Sequence, residues 1–589
     1  MLKITKKGID KVDGISLEVL YGKLSSISEE MQLIILKSAH SRMVNEACDA
    51  TSALLDSKGR NISQAVSIPI HLGCITVLGK LIAESYPQGV AKDGDCYIVN
   101  DPYSGGTHLP DIAIAVPAFH KNKLIGYAAV MIHHQDIGGM LPGSASVYAH
   151  DLYSEGLRLP LVKIIDQGKI NDDLIGLMAS NSRTPETLKG DLFAQIAAGK
   201  IGSARMSELT SNYGLNYFNK GVDNLLDYTE KLTRSEIKNI PDGDYKFHDW
   251  VDNDGSIGNE EPLKIAVKMS VKKSNIKFDF TGTSGQVKTA INNVPSSATS
   301  AVMFGIRTLT GDSSPDNEGG FRPVTIKFPE GSLVNPTFPA PVASRSVSLR
   351  RVVDVILGVL AKAIPNRYPA ANCGQASVIY CGSVDEKTNE SIVGAIGGPW
   401  MGGMGARPKK DGIDTTDHDA SNVYHVPLEV SEAELPIRFK KMELWKDSGG
   451  AGKWRGGLGF HSEVEWLGGK ATASLRRDRH KFNPWGLSGG HDGPMCKTAI
   501  KKKNAKSKSI PGKSHIELIK GDILQLWTTG SGGHSNPLKR NMNLVLDDYL
   551  DRKISNKSAR DIYGVVIEKN QINIRKSRAL RKKLIKKVA

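Results

Sequence analysis

The run Asn100-Asp101-Pro102-Tyr103-Ser104-Gly105-Gly106-Thr107-His108-Leu109-Pro110-Asp111 places a histidine and two carboxylates around a Gly-Gly turn. A second polar run, His133-His134-Gln135-Asp136, follows about one strand-length later. Residues 112–116 and 124–132 between them are apolar and rich in β-branching, which predicts two core strands. Histidine-bearing turns at the ends of neighbouring strands would bring imidazole and carboxylate to one point, the usual inventory of a divalent metal site. His108 and Asp111 are three apart in a turn, so their side chains can converge, and His133 would come from the next strand end. Glu46 and Asp49, three apart on a predicted helix end, offer a further carboxylate. Two imidazoles with one or two carboxylates suit Mn, Zn or Fe(II). Such a metal polarises a carbonyl or generates hydroxide. The competing reading of the same residues is structural, with Asp101 and Asp111 capping turns and the histidines satisfied in the core.

The elements that must position these groups are legible as periodicities. Leu17, Leu20, Leu24, Ile27, Met31 and Ile34 make one apolar stripe, which predicts a helix over residues 16–39 with Ser16 as its cap. Residues 41–49 carry on from it. Residues 53–62 read as strand, turn, strand, and residues 73–84 as a second helix ending before Pro87. Residues 188–198 and 201–215 read as two helices after the turn at Thr184-Pro185. From Pro241 the texture changes to short β-type runs at 245–250, 263–271 and 276–280, with a helix at 348–364. Beyond Gly394 glycine is dense and strands dominate, as at 437–445 and 461–466. The expected class is mixed α/β (α+β) and multidomain. The expected parts are a metal-site region at 1–240, a mixed middle region at 241–394, a Gly-rich β-dominated region at 395–568 and a basic tail at 569–589.

Composition narrows the function classes. A chain of 589 residues exceeds one core. No run reaches the length of a membrane span, and residues 1–7 have no apolar stretch behind their charges. Six scattered cysteines without a Cys-x-x-Cys fit a reducing, cytoplasmic setting. The net charge of +15 invites a nucleic-acid reading, but residues 497–513 and 569–589 carry sixteen Lys or Arg and no acid. The remainder is therefore at −1, and the basicity belongs to an inserted loop and a tail that are low in aromatics, so no nucleic-acid partner is expected. No Gly-x-x-x-x-Gly-Lys-Ser/Thr occurs; Gly512-Lys513-Ser514 has Ser507 where the first glycine should be. No Gly-x-Ser-x-Gly elbow follows a strand, and Cys48 lies between Glu46 and Asp49, whose charges disfavour its thiolate.

The run NDPYSGGTHLPD, followed by HHQDIGG and Pro142-Gly143-Ser144, resembles the hydantoinase B/oxoprolinase family. The resemblance runs nearly end to end. It takes in Glu46-x-x-Asp49, Ile68-Pro69-Ile70-His71-Leu72-Gly73, Glu155-Gly156-Leu157, Arg183-Thr184-Pro185 with Gly190-Asp191-Leu192, and Asp279-Phe280-Thr281-Gly282-Thr283-Ser284. It continues through Asn335-Pro336, Asp447-Ser448-Gly449-Gly450-Ala451-Gly452 and Tyr563-Gly564-Val565. Gly530-Ser531-Gly532-Gly533-His534 departs from the family's all-glycine run, and the basic loop looks like a local insertion.

The resemblance implies a cytoplasmic complex. Its A-type ATPase component phosphorylates a substrate oxygen, and the B-type component works on the activated intermediate at a metal. In the ketone-carboxylase branch a glutamate, an aspartate and two histidines hold that metal; the matching motifs here contain Glu46, His108, Asp111 and His133. The absent phosphate loop then makes sense, because ATP is used by the partner. The implied reaction is ATP-dependent opening of a small cyclic amide such as a hydantoin or 5-oxoproline, and the alternative is carboxylation of a ketone, as in acetone and acetophenone carboxylases. A non-enzymatic partner role is the third reading. His134, Asp136 and Asp101 are expected to orient the ligands, and His71 is a candidate general base or a satisfied core histidine.

Overall fold

The computed structural model describes residues 13–311, 314–375, 377–385, 387–419 and 421–588. Residues 1–7, expected to lack an apolar leader, lie outside them. The described residues open with helix α1 (Gly14–Ser38), which buries Leu20, Leu24, Ile27, Met31 and Ile35. Its cap is Asp13 rather than Ser16: the Asp13 carboxylate accepts the Ser16 amide at 2.7 Å. The chain then leaves helical geometry at Ala39, and α2 is only Arg42–Asn45. The break is held by Asp191, whose carboxylate accepts the amides of His40 and Ser41 at 2.6 and 3.0 Å.

A seven-stranded antiparallel sheet carries the polar runs. Its strands are β1 (Ala50–Asp56), β2 (Asn61–Gln64), β3 (Cys96–Val99), β4 (Asp111–His120), β5 (Lys123–His133), β6 (Val162–Asp166) and β7 (Lys169–Ile170). Their order is β2-β1-β5-β4-β3-β6-β7. Helix α3 (Leu72–Ser85) covers one face with Cys74, Ile75, Leu78 and Ile82. Helices α1 and α5 (Pro185–Tyr213) share the core on the other, with α4 (Asp172–Asn181) and α6 (Leu215–Ile237) beside them. The two helices expected at 188–198 and 201–215 are thus one. Gly199, at the expected junction, does not break it; a Cβ there would stand 2.8 Å from Val116 Cγ2, so this glycine lets α5 press on β4.

The middle region is a four-stranded sheet in the order β11-β10-β9-β8. Its strands are β8 (Gly243–Val251), β9 (Leu263–Lys272), β10 (Asn275–Asp279) and β11 (Val324–Lys327), and the β10–β11 pair is parallel. Helices α7 (Pro295–Thr310) and α8 (Ser346–Ala363) pack against it in one core. Two further sheets follow. One has the order β13-β12-β16-β19 and the other β14-β15-β20-β17-β18. Their strands are β12 (Ser377–Val384), β13 (Ser391–Trp400), β14 (Ile437–Leu444), β15 (Phe460–Trp466), β16 (Ala471–Arg476), β17 (Lys497–Lys501), β18 (Lys508–Ser509), β19 (Lys513–Leu518) and β20 (Ile523–Trp527). Ile379, Trp400, Phe460, Trp466, Leu475 and Leu526 form one core between them. The class is mixed α+β, as the sequence predicts.

The basic segments are more built-in than their charge suggests. Residues 497–513 form β17, β18 and the start of β19; residues 501–509 are exposed, whereas Lys513 is buried against Asp478 at 2.7 Å. The tail is the helix Ile574–Val588. It is docked: the buried Ser577 hydroxyl accepts the Val566 amide at 2.8 Å, and Arg581 donates to the carbonyls of Tyr563 and Arg540 at 2.9 and 2.8 Å. No helix among the described residues is long and apolar enough to cross a membrane.

Candidate metal centre

The sheet register brings the two polar runs together. Asp111 opens β4, His133 closes β5, and the two are cross-strand partners. His108 reaches the same point from the turn before β4. His108 Nε2, His133 Nδ1 and Asp111 Oδ1 form a triangle with edges of 3.0, 3.1 and 3.2 Å. Among the described residues this trio is the one group of three or more metal-ligating side chains within reach of a shared ion.

The outer atoms of the trio are fixed. His108 Nδ1 lies 3.1 Å from the Ala343 carbonyl, so it donates and leaves Nε2 as a bare lone pair. His133 Nε2 lies 3.0 Å from the Tyr380 hydroxyl. Burial pushes His108 down to about 3, so it is neutral near pH 7. Asp111 Oδ2 receives Arg345 at 2.6 Å and the Thr107 hydroxyl, with His71 Nε2 at 3.5 Å. Burial opposes ionisation of Asp111, but His108 and Arg345 together hold its carboxyl well below the ordinary range. With His133 donating from Nε2 to Tyr380, its Nδ1 is a third lone pair beside His108 Nε2 and the Asp111 carboxylate, a set that a cation would join, and imidazole–carboxylate donors match Mn, Zn or Fe. The residues present fit the metal that the resemblance implies.

Glu46 is a correction. It is the C-terminal cap of α2, one-third exposed, with its carboxylate 4.0 Å from Arg42, and it is not in the trio. The i,i+3 face expected of Glu46 and Asp49 does not exist, because the helix ends at Asn45 and Cys48 turns the chain at φ 62°. Asp49 instead lines the cavity at the trio. Burial raises its pKa, with His133 pulling the other way.

His71 lines the cavity wall, its Nδ1 held by Thr51 Oγ1 at 2.9 Å. His134 does not reach the cavity. It follows His133 and its Nε2 bonds Gln195 Oε1 of α5 at 2.9 Å. Asp136 is also displaced; it accepts the amides of Gly138, Gly143 and Arg183 at 2.9, 2.9 and 3.0 Å and the Arg183 guanidinium at 3.1 Å. Neither lines the cavity at the trio. The loop Asp136 holds ends at Gly143 (φ 73°), where a Cβ would stand 2.4 Å from the Tyr380 ring. Asp101 caps the turn before His108 and pairs with Arg158 at 3.0 Å.

Much of the cavity lies outside the sequence motifs. A space of about 70 Å³ is lined by Asp49, His71, His108 and His133, and also by Arg345, Arg350, Tyr380 and Arg476. None of these last four sits in a motif that announces chemistry. Arg345 and Arg350 come from the start of α8, and Tyr380 and Arg476 from the paired strands β12 and β16. Glu155, a motif residue with no role evident from its spacing, accepts the amides of Val342 and Ala343 at 2.6 and 2.7 Å. It thereby fixes the carbonyl that orients His108.

A family model described as hydantoinase B/oxoprolinase matches residues 13–537. The B-type component of a putative D-/L-hydantoinase from Pseudomonas sp. (strain NS671) is 34% identical over 98% of this chain and 99% of its own length. The crystal structure of an ATP-dependent caprolactamase from Pseudomonas jessenii is 27% identical, with a TM-score of 0.91 over 97% of this chain and all of that chain. A nucleotide-free acetone carboxylase structure has the same TM-score over 98% of this chain and 84% of its own, at 19% identity, which shows likeness of fold alone.

Proposed function

Because the chain belongs to the hydantoinase B/oxoprolinase family, we propose that it is the B-type component of an ATP-dependent cyclic amidohydrolase. In this reading a hydantoinase A-type partner phosphorylates the carbonyl oxygen of a lactam or cyclic imide in the cytoplasm, and this chain opens the ring. The observation that carries the reading is the triangle of inward-facing donors from His108, His133 and Asp111 beside a cavity. The chain has no phosphate loop of its own, which supports a separate ATPase.

A Mn, Zn or Fe ion held by the trio would supply Lewis acidity toward a water or carbonyl. The chain's own residues do the rest. An unactivated amide carbon is a poor electrophile, and the phosphoryl group withdraws its electrons. Water adds to that carbon and His71 takes the proton, from a position already fixed by Thr51. The C–N bond breaks, the nitrogen takes a proton, and an acyl phosphate remains. A second water then releases inorganic phosphate and leaves a carboxylate, so one ATP and two waters are consumed per ring. Tyr380 holds His133 and the Ala343 carbonyl holds His108 throughout.

The test is reconstitution with the partner ATPase. Hydantoins and lactams are incubated with ATP, and ring-opened product is measured against ADP, with labelled bicarbonate and a ketone in a parallel reaction. ATP-dependent ring opening supports the reading. Label fixed into the ketone, with no ring opening, would replace it by the carboxylase reading.

A further inference from the structure

Two buried guanidiniums in the cavity have no carboxylate bonded to them. Arg350 and Arg476 are each more than nine-tenths buried. Arg345 beside them pairs with Asp111 at 2.6 Å, but among the described residues neither Arg350 nor Arg476 has a carboxylate at ion-pairing distance. Among the described residues Arg350 donates to the Ser346 carbonyl and the Ser421 hydroxyl, at 3.1 and 3.0 Å. Burial lowers its pKa, and Asp417 offsets this only from longer range. Arg476 donates to the Ala343 carbonyl at 3.4 Å and stacks over the Tyr380 ring at 5.4 Å. The Nε atoms of both are buried and unpartnered. A guanidinium has five donors, so most of this capacity is unused.

Burying an unpaired charge is costly, and burying two near a third cation is more so. Burial pushes Arg476 down to about 10, and the charges of Arg350 and Arg345 push the same way. A fold keeps such a pair where an anion arrives to balance it. Forked guanidiniums match the oxygens of a phosphoryl group in geometry and charge.

We propose that Arg350 and Arg476 form the subsite for the phosphoryl group of the activated substrate, holding it so that the attached carbon faces the His108–Asp111–His133 trio. The inference rests on the ring-opening reading above. Hydantoin and lactam rings carry no carboxylate in common, whereas every substrate activated by phosphorylation shares this dianion. The same two residues would then hold the acyl phosphate after the ring opens.

Inorganic phosphate is the probe, titrated calorimetrically into the purified full-length chain. The wild type binds it. Arg350→Gln and Arg476→Gln each weaken binding by about tenfold or more, the loss expected for a charged hydrogen-bond partner, and Arg476→Lys keeps part of it. Thermal unfolding separates this from a structural role. Phosphate raises the melting temperature of the wild type but not of Arg476→Met, and in phosphate-free buffer Arg476→Met melts no lower than the wild type. In the reconstituted complex, Arg476→Gln lowers ring opening per ATP consumed. Undiminished phosphate binding in both Gln variants overturns the proposal. So does a wild type that ignores phosphate, or one that binds acetate as tightly. The lone-chain titration needs no substrate, so it decides the subsite even if the complex opens no ring.

Discussion

Helix α8 serves two buried polar clusters with opposite accounting. Arg350 faces the cavity, where three guanidiniums meet few carboxylates. The next residue, Arg351, enters a closed network. Its guanidinium pairs with Asp354 at 2.7 Å and Asp478 at 3.0 Å. Arg479 pairs with Asp354 and Asp249 at 2.9 and 3.1 Å, Lys513 with Asp478 at 2.7 Å, and His418 lies 3.4 Å from Asp354. Three cations thus meet three carboxylates, drawn from β8, α8 and the segments after β16 and at β19. Burial opposes both charges, yet the mutual pairing raises Arg351 and lowers Asp354. The closed cluster uses its charge to join the middle and C-terminal regions. The open one leaves charge uncompensated beside a space, and that is where chemistry can use it.

Breaking the closed cluster should give the largest loss of stability. Asp354→Ala removes the carboxylate shared by Arg351, Arg479 and His418. It should cost about 3–5 kcal/mol in denaturant unfolding; a loss within the error of a surface substitution would show that the network is not structural. The open cluster should respond in function instead. Asp111→Asn should lower ring-opening activity about 100-fold or more and reduce bound divalent metal, read by elemental analysis. Full metal content and full activity in that variant would remove the trio from the site.

A smaller effect is expected at the tail. Truncation after Ile574 deletes the Ser577 and Arg581 contacts, and should cost about 1–3 kcal/mol while kcat in the reconstituted complex stays unchanged. A loss of kcat that high salt does not reproduce in the full chain would tie the helix to catalysis or to the partner.

The smallest effect sharpens the comparison at Glu155, a buried carboxyl with no cation. Burial raises it to about 8 against the two amides it accepts, which pull it down, and its Oε2 is unpartnered. Its folded pKa lies above its ordinary one near 4.5. Its contribution to stability is therefore full below about 4.5 and is lost as pH rises through about 8. The melting temperature of Glu155→Gln relative to wild type should climb between about pH 5 and 8 and level off above. A gap that does not change with pH would mean the carboxyl is ionised throughout.

Local signals suffice where a side chain's role is set by its neighbours in sequence. The stripe on α1, the alternation of β8 and β9 and the turn from Asn100 to Asp111 all follow from spacing, and helix termini shift by a residue or two where a cap such as Asp13 outcompetes Ser16. Glycine normally weakens a helix, and the expected junction of α5 falls at Gly199, which the structure instead needs for its contact with Val116 of β4. Motif resemblance offers Glu46 to the metal, whereas the chain turns at left-handed Cys48 and it is Asp49 that lines the cavity.

The sequence by itself placed His108, Asp111 and His133 at the ends of two neighbouring apolar strands, whereas the register that sets His133 opposite Asp111 belongs to the folded sheet, because both strands are buried on both faces and carry no alternation to fix it. It also determined the family and the absence of a phosphate loop. Only the tertiary structure decided what surrounds the trio. Arg345, Arg350, Tyr380 and Arg476 come from more than about 200 residues away in sequence, and an arginine alone says nothing about whether a carboxylate will be waiting. Whether a buried charge is closed or open depends on which distant strands and helices meet there, and no local pattern encodes that meeting.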